Sequence, residues 1–293
     1  MAILTQDPGT PAAPPSIARA LRRALGSGPV LLATCVMAMM AIMAVAAPWV
    51  ATHDPLAIDP TARLQGMSGS HWLGTDPLGR DVWSRVVYGA RTSLVVGLVV
   101  AGLAILLGLI IGVIAGYFRL ADAIIMRVMD GIMAIPSIVL AVGLVSIAGA
   151  SLVTVIVAIV VPEFPRVVRL VRGVILNLRT EPYVEAAISL GTPLHRLLIR
   201  HMIPNTMAPL IVQGSFILAS AILTEAALSF LGIGLPPEIP SWGNIMAEGR
   251  RFFQMLPGLI FWPGVFLALT VLAVNLIGDA LRDALDPKMS RRP

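Results

Sequence analysis

Residues that could perform phosphate chemistry are scarce in this sequence. A phosphate-binding P-loop requires a Gly-Lys-Ser/Thr element, and the single lysine, Lys288, lies between Pro287 and Met289. The chain therefore cannot itself be a P-loop ATPase. The sequence also shows no His/Asp/Glu cluster or Ser/Lys dyad within its apolar stretches, so we expect no catalytic residues and no bound cofactor.

Histidine side chains can bind metal ions, and two of them lie close together in the sequence. His53 and His71 lie in one polar stretch near Asp54, Asp59 and Asp76. Their spacing matches no recognised metal-binding pattern, so we expect no metal site.

A few charged side chains interrupt the apolar stretches. Asp130 follows Arg127 by one helical turn, and Glu163 precedes Arg166 by the same spacing, so each pair can neutralise its charge locally. Glu225 has no such neighbour and lies about twenty residues into its predicted span, near the outer boundary, where it could cap an outer gate, contact an external partner protein or be solvated in a vestibule. Because charge is costly within a membrane, these residues are functional candidates. Their alternative role is an ion pair that fixes helix depth.

Residues 180–205 predict two short helices joined at an angle. Thr180 can cap the first, with Pro182 in its first turn. Gly191 stands where a helix end favours positive φ. Thr192-Pro193 can begin the second helix, Pro204 is predicted to end it, and Thr206 can cap the helix that follows.

The overall composition is that of a polytopic membrane protein. Of 293 residues, 57% are hydrophobic and 13% are charged, and the mean hydropathy is +0.88. A soluble domain of this size carries more charge. The pI of about 10.3 does not indicate nucleic-acid binding, because the arginines lie in short segments between apolar blocks, as in membrane proteins. The single cysteine, Cys35, excludes an intrachain disulfide.

The apolar pattern predicts an all-α chain with six transmembrane helices. The predicted spans cover 29–50, 92–118, 123–148, 151 to the 166–169 region, 206–234 and 252–278. With both termini inside, fifteen of the 21 Lys and Arg residues lie on the cytoplasmic side, which supports that orientation. The predicted division is a disordered basic N-terminus 1–28, a first span 29–51, an outer loop 52–91, a five-helix core 92–280 and a cytoplasmic tail 281–293.

The cytoplasmic segment, 180–204, resembles the EAA loop of binding-protein-dependent ABC importer permeases. The resemblance rests on Glu185-Ala186-Ala187, on Gly191 at the sixth position after the glutamate, and on a later proline. His201, Pro204 and Asn205 look like the dipeptide/oligopeptide/nickel branch of that family.

Four further stretches are similar to the same branch, and in order they span nearly the whole chain. They are 74–94, 122–136, 225–243 and 278–287. The chain thus resembles the C-type permease of the pair found in these importers.

The resemblance implies the type I importer permease fold, with a coupling helix in the EAA loop. It implies a bacterial inner-membrane location, a second related permease subunit, two ATPase subunits that carry ATP and Mg, and a periplasmic or lipid-anchored solute-binding protein. Membrane lipid is the remaining partner, and no nucleic acid is expected. Di- or oligopeptides are the first substrate class, with nickel or another small solute as the alternative.

The resemblance and the charge pattern together suggest three sets of site residues. The set expected to couple to the ATPase is Tyr183, Glu185, Ala186, Ala187, Leu190, Gly191, Arg196, Arg200, His201 and Pro204. The gate or subunit-interface candidates are Asp130, Glu163, Arg166 and Glu225. The outer-loop candidates are Asp76, Arg80 and Asp81.

The sequence pattern also bears on two other classes of membrane protein. A stand-alone secondary transporter would be expected to carry buried charges in broken helices at the membrane centre and more spans. A membrane-embedded enzyme would need paired catalytic groups at depth. The nearly charge-free apolar blocks favour neither.

Overall fold

The computed structural model describes residues 27–285. Most of the predicted disordered start and most of the predicted tail lie outside this range. Within it the chain is built from helices, and the pairing of Thr75 with Asp81 is an isolated antiparallel bridge. The predicted all-α class is confirmed.

Apart from the third, the predicted spans correspond to helices whose ends are shifted. Their bounds are α1 Gly28–Val45, α2 Ala47–Val50, α3 Val82–Tyr117, α4 Arg119–Met133, α5 Ser137–Ala148, α6 Leu152–Leu178, α7 Pro182–Ser189, α8 Leu194–Leu197, α9 Ile203–Phe230, α10 Trp242–Gly249 and α11 Gly258–Leu285. Asp81 caps α3 by accepting from the backbone N–H of Ser84 at 2.8 Å. This cap makes α3 begin well before the apolar stretch that predicted it.

Only some of these helices are long and apolar enough to cross a membrane. In the described range, four helices are long and apolar enough to cross a membrane, and a bent pair could provide a fifth. Helix α6 has sufficient length but carries one glutamate and three arginines. The count of six spans stays a prediction.

The predicted third span, 123–148, is not one helix. Helices α4 and α5 meet at an angle of 87°. Pro136 precedes α5 with an extended backbone (φ −54°, ψ 131°), and a proline disfavours helical geometry at the residue before it. Prediction of a continuous helix was therefore wrong.

Helices α3 and α6 form the most extensive helix pair of the described structure. Their contact is made by three glycines at four-residue spacing: Gly108, Gly112 and Gly116. A Cβ at Gly108 would lie 2.4 Å from the Cβ of Val167, so only glycine allows this approach. Close helix contact through small residues is a main source of helix association in membranes.

Two clusters of buried apolar side chains hold the helices together. One joins α3, α5, α6 and α9 and reaches the segment around Val184. The other joins α1, the first half of α3, α10 and α11, with Trp242 fully buried at its centre. The indole N–H of Trp242 donates to the carbonyl of Val86 at 3.1 Å, which fixes α10 against α3.

Candidate functional site

Helix α7 of the EAA-like segment ends in a Schellman motif. Gly191 has φ 72°, as its position in the sequence predicted. Its N–H donates to the carbonyl of Ile188 at 2.9 Å, and the N–H of Thr192 donates to the carbonyl of Ala187 at 3.0 Å. These two bonds satisfy carbonyls at the helix end and set the direction in which the chain leaves it.

The predicted caps of this segment are wrong. The residue before α7 is Glu181, and it makes no side-chain cap bond, whereas the Thr180 hydroxyl donates to the carbonyl of Asn177 at 2.8 Å. Pro182 does occupy the first turn. Helix α8 likewise follows Pro193 rather than a Thr192 cap. In both places proline pre-organises the helix start, so a hydroxyl cap is not required.

Pro204 does not end the second helix, contrary to the prediction. A π-helical stretch, Leu198–Met202, joins α8 directly to α9, and Pro204 lies in the first turn of α9. Thr206 donates its hydroxyl to the carbonyl of Ile203 at 2.7 Å instead of capping a helix. The result is one continuous helical unit, Leu194–Phe230, of 37 residues.

Helix α7 has one anchored side and one exposed side. Val184 is fully buried in the apolar cluster that also holds Leu197 and Met202. Glu185 and Ala186 are exposed, and Leu190 is 87% exposed. Tyr183 and Ile188 of the same short helix are exposed as well, and a group of exposed apolar side chains on one element suits a protein partner.

The other members of the predicted coupling set lie around this helix. Ala187 is half-buried against the cluster. The rings of Tyr183 and His201 lie 6.4 Å apart, centroid to centroid. Arg196 and Arg200 are exposed on α8 and the π-helical stretch. The structure therefore brings the set together on one segment.

The charged residues of the spans are only partly paired as predicted. The Glu163–Arg166 pair is confirmed at 3.1 Å. The Glu163 carboxylate also accepts from the Ser220 hydroxyl at 2.9 Å, which links α6 to α9. The predicted partner of Asp130, Arg127, is wrong. Asp130 pairs with Arg169 at 2.6 Å because α4 lies alongside α6.

Glu225 is fully buried. Its carboxylate accepts from the Ser93 hydroxyl at 3.2 Å and from the Ser229 hydroxyl at 2.9 Å. The interpretation of a solvated side chain is wrong, since Glu225 has no exposed surface. Hydroxyl donors supply the bonds that a buried carboxyl requires.

Two of the outer-loop candidates, Asp76 and Arg80, belong to a larger charge cluster. Asp76 accepts from Arg80 Nε at 2.6 Å and from Arg85 Nη1 at 3.0 Å. The same two arginines reach Glu248 of α10, at 2.6 Å from Arg80 and 3.0 Å from Arg85. Two carboxylates and two guanidinium groups thus join the outer loop, α3 and α10.

Sequence reasoning missed Glu248 entirely and did not select Arg85 as a site residue. Arg85 is fully buried. Burial raises the pKa of the Glu248 carboxyl to about 7, against the lowering effect of the nearby Arg80 charge. The cluster therefore contains one carboxyl that titrates near neutral pH.

Asp81 lies outside this cluster, with two histidines. His71 Nδ1 lies 3.0 Å from Asp81 Oδ1, and His53 Nδ1 lies 3.9 Å from the same oxygen. Burial alone would raise the pKa of the Asp81 carboxyl, but hydrogen bonds from Ser84, His71 and Thr52 outweigh it and hold the pKa below its usual value. The structure thus brings together histidines that their spacing did not connect.

Comparison with known proteins agrees with this architecture. A family model described as "Binding-protein-dependent transport system inner membrane component" matches residues 104–291. The "Probable peptide ABC transporter permease protein y4tQ" of Sinorhizobium fredii is 55% identical over 90% of both chains. The "Dipeptide transport system permease protein DppC" of Alkalihalophilus pseudofirmus is 43% identical over 85% of this chain and 82% of that protein.

A solved structure shows the same fold. A chain of the MetNI methionine ABC transporter in an inward-facing conformation superposes with a TM-score of 0.55 and 19% identity, over 69% of this chain and 96% of that one. The matched family region contains the EAA-like segment and α3 from its middle onward. The chain is a multi-pass membrane protein that belongs to the family of inner-membrane components of binding-protein-dependent transport systems.

Proposed function

We propose that this chain forms one half of the translocation pathway of an ATP-driven importer for di- or oligopeptides. Family membership and the peptide-transport names of relatives at 43% and 55% identity support the proposal. These names favour peptides over nickel as the cargo. The chain conducts the solute and performs no covalent chemistry.

The proposed complex contains a second homologous permease, two ATPase subunits and a periplasmic or lipid-anchored solute-binding protein. The absence of a Gly-Lys-Ser/Thr element from the full sequence supports separate ATPase subunits. ATP and Mg are bound there, not by this chain. The proposed topology has both termini in the cytoplasm, α7 on the same side and residues 52–81 outside.

One observation carries the coupling mechanism: α7 is anchored on one side, exposed on the other and connected to a long helix. A partner that moves the exposed surface around Glu185 and Leu190 also moves the cluster that holds Val184, Leu197 and Met202. Gly191 fixes the angle between α7 and the 37-residue unit Leu194–Phe230. ATP-driven motion is thereby transmitted into the spans, which rock between two states of comparable free energy.

The remaining candidates receive distinct proposed roles. Glu163 and Arg166 lie where α6 meets α9, and the guanidinium is half exposed, so we assign them to the inner gate or the permease interface. Asp130 holds α4 to α6. Because Glu225 is fully buried, it secures the end of α9 rather than contacting solute.

Reconstitution tests the coupling role. The complex with its ATPase subunits is placed in proteoliposomes, and ATP hydrolysis and peptide uptake are measured together. Glu185→Ala should lower uptake per ATP hydrolysed while membrane insertion is unchanged. Gly191→Pro should do the same, because proline cannot adopt φ 72° and removes the N–H that bonds to Ile188.

The matched control is Glu238→Ala, since Glu238 is also exposed but lies in the loop before α10. It should transport normally. Normal uptake by both Glu185→Ala and Gly191→Pro would overturn the proposed coupling.

A further inference from the structure

We propose that His53, His71 and Asp81 form a binding site for a divalent transition-metal ion such as Zn²⁺, held by the outer loop as a resident ion. One ligand atom from each of the three side chains lies within 4.8 Å of the other two. This inference concerns a different part of the chain from the coupling segment and does not depend on the proposed cargo.

The spacing of the three atoms suits a metal centre. Ligand atoms bound to a tetrahedral zinc ion at about 2.0–2.2 Å lie about 3.3–3.6 Å from one another. The distances from Asp81 Oδ1 to the two nitrogens, 3.0 and 3.9 Å, bracket that range. The imidazole rings are stacked with centroids 4.7 Å apart and an interplanar angle of 30°, and their Nδ1 atoms approach the same carboxylate oxygen.

The carboxylate is oriented by a second layer of hydrogen bonds. Its other oxygen, Oδ2, accepts from Thr52 Oγ1 at 3.1 Å, from the Ser84 N–H at 2.8 Å and from Ser84 Oγ at 2.7 Å. These three donors hold the Asp81 side chain and leave Oδ1 directed at the histidines. Outer-layer hydrogen bonds of this kind orient ligating carboxylates in metal sites.

The ligand set defines the class of ion. Two imidazole nitrogens and one carboxylate oxygen suit zinc and neighbouring transition metals, whereas Mg²⁺ and Ca²⁺ prefer oxygen ligands. Three protein ligands leave a fourth position for water. Asp81 is buried, His71 is 15% exposed and His53 is 42% exposed, so an ion can enter from the His53 side.

Binding would join three separate parts of the outer region. His53 follows α2, His71 lies in the middle of the loop, and Asp81 caps α3. His71 Nδ1 already contacts Asp81 Oδ1 at 3.0 Å, whereas His53 Nδ1 lies 3.9 Å from it and pairs with Thr52 Oγ1 at 3.1 Å, a contact that the ion would replace. We expect the ion to stabilise this loop against the start of α3.

Titration of the full chain in detergent with ZnCl₂ tests the site, using protein without an oligohistidine tag. Calorimetry should show one saturable zinc ion per chain, and zinc should raise the apparent unfolding temperature relative to EDTA. His71→Asn and His53→Asn should each weaken zinc binding about tenfold or more. Both histidines lie at least partly at the surface, so these variants should fold.

His195→Asn is the matched control, because His195 is exposed on α8, away from the outer loop, and it should leave zinc binding unchanged. Co²⁺ in place of zinc should give the visible absorption of a four-coordinate ion in the wild type, and this absorption should be absent in the His53→Asn/His71→Asn double variant. Equal zinc affinity in the wild type and that double variant, or loss of binding in His195→Asn, would overturn the proposal.

Discussion

Arg85 and Glu248 are separated by 163 positions in the sequence, yet Arg85 Nη2 and Glu248 Oε1 lie 3.0 Å apart. This contact, together with those of Arg80, holds α10 over the start of α3. The arrangement fixes one end of the helix bundle, and the EAA-like segment lies at the opposite end of α9.

The first prediction concerns the loss of Arg85. At pH 8, where Glu248 is ionised, Arg85→Ala should lower the free energy of unfolding by about 3 kcal/mol or more, because the buried Asp76 and Glu248 carboxylates each lose one of their two arginine partners. Thermal unfolding in detergent measures the effect. Arg91→Ala, which removes an exposed arginine from the same helix, should change stability little. If the two variants are equally stable, the cluster does not contribute as described.

The second prediction is a pH dependence. The folded-state pKa of Glu248 is raised to about 7 from the ordinary 4.5, so between these values the folded protein holds a proton that the unfolded chain lacks. The contribution of this carboxyl to stability is complete below about pH 4.5 and is lost as the pH rises through 7. The facing groups are Arg80, Arg85 and Asp76.

Thermal unfolding at a series of pH values tests this dependence. The stability of the wild type relative to Glu248→Gln should decrease by up to about 3 kcal/mol from pH 4.5 to 7 and stay level above that. Glu238→Gln, at an exposed glutamate, should show no comparable change across this window. A constant difference between wild type and Glu248→Gln at every pH would refute the shifted titration.

The third prediction concerns the contact between α3 and α6. Gly108→Ala should destabilise the protein by about 1–3 kcal/mol, because the added Cβ would lie 2.4 Å from Val167 Cβ and would separate the helices. Gly102→Ala is the matched control on the same helix, since a Cβ there meets no atom within 4 Å. It should be neutral or slightly stabilising, as alanine favours helix. Equal unfolding temperatures for the two variants would contradict the close packing.

Local features were predictable from the sequence, and features set by distant contacts were not. Gly191 was placed correctly because a helix end next to a glycine is a local signal. Glu163 and Arg166 were paired correctly because they share one helix. Asp130 was assigned to Arg127 by the same rule, but packing of α4 against α6 offered Arg169 instead.

Some of the other features that were not predicted have an indication in the sequence, and others have none. The glycines at 108, 112 and 116 form a small-residue repeat that predicts close helix contact. Pro136 could have indicated the break between α4 and α5. Glu248 carried no local signal, because its partners come from the other half of the chain. Similarly, the folding of the outer loop brings His53 and His71 together, and their separation in the sequence does not predict this contact.

The central claim is that the exposed side of α7 receives the motion of the ATPase. Site-specific photo-crosslinking in the assembled complex tests it most directly, with the photoreactive residue at Leu190, which is 87% exposed, or at Ile147 on α5, which is 89% exposed. The account predicts a covalent adduct with an ATPase subunit from position 190 and none from position 147. Absence of an adduct at position 190, or equal adducts at both positions, would contradict it.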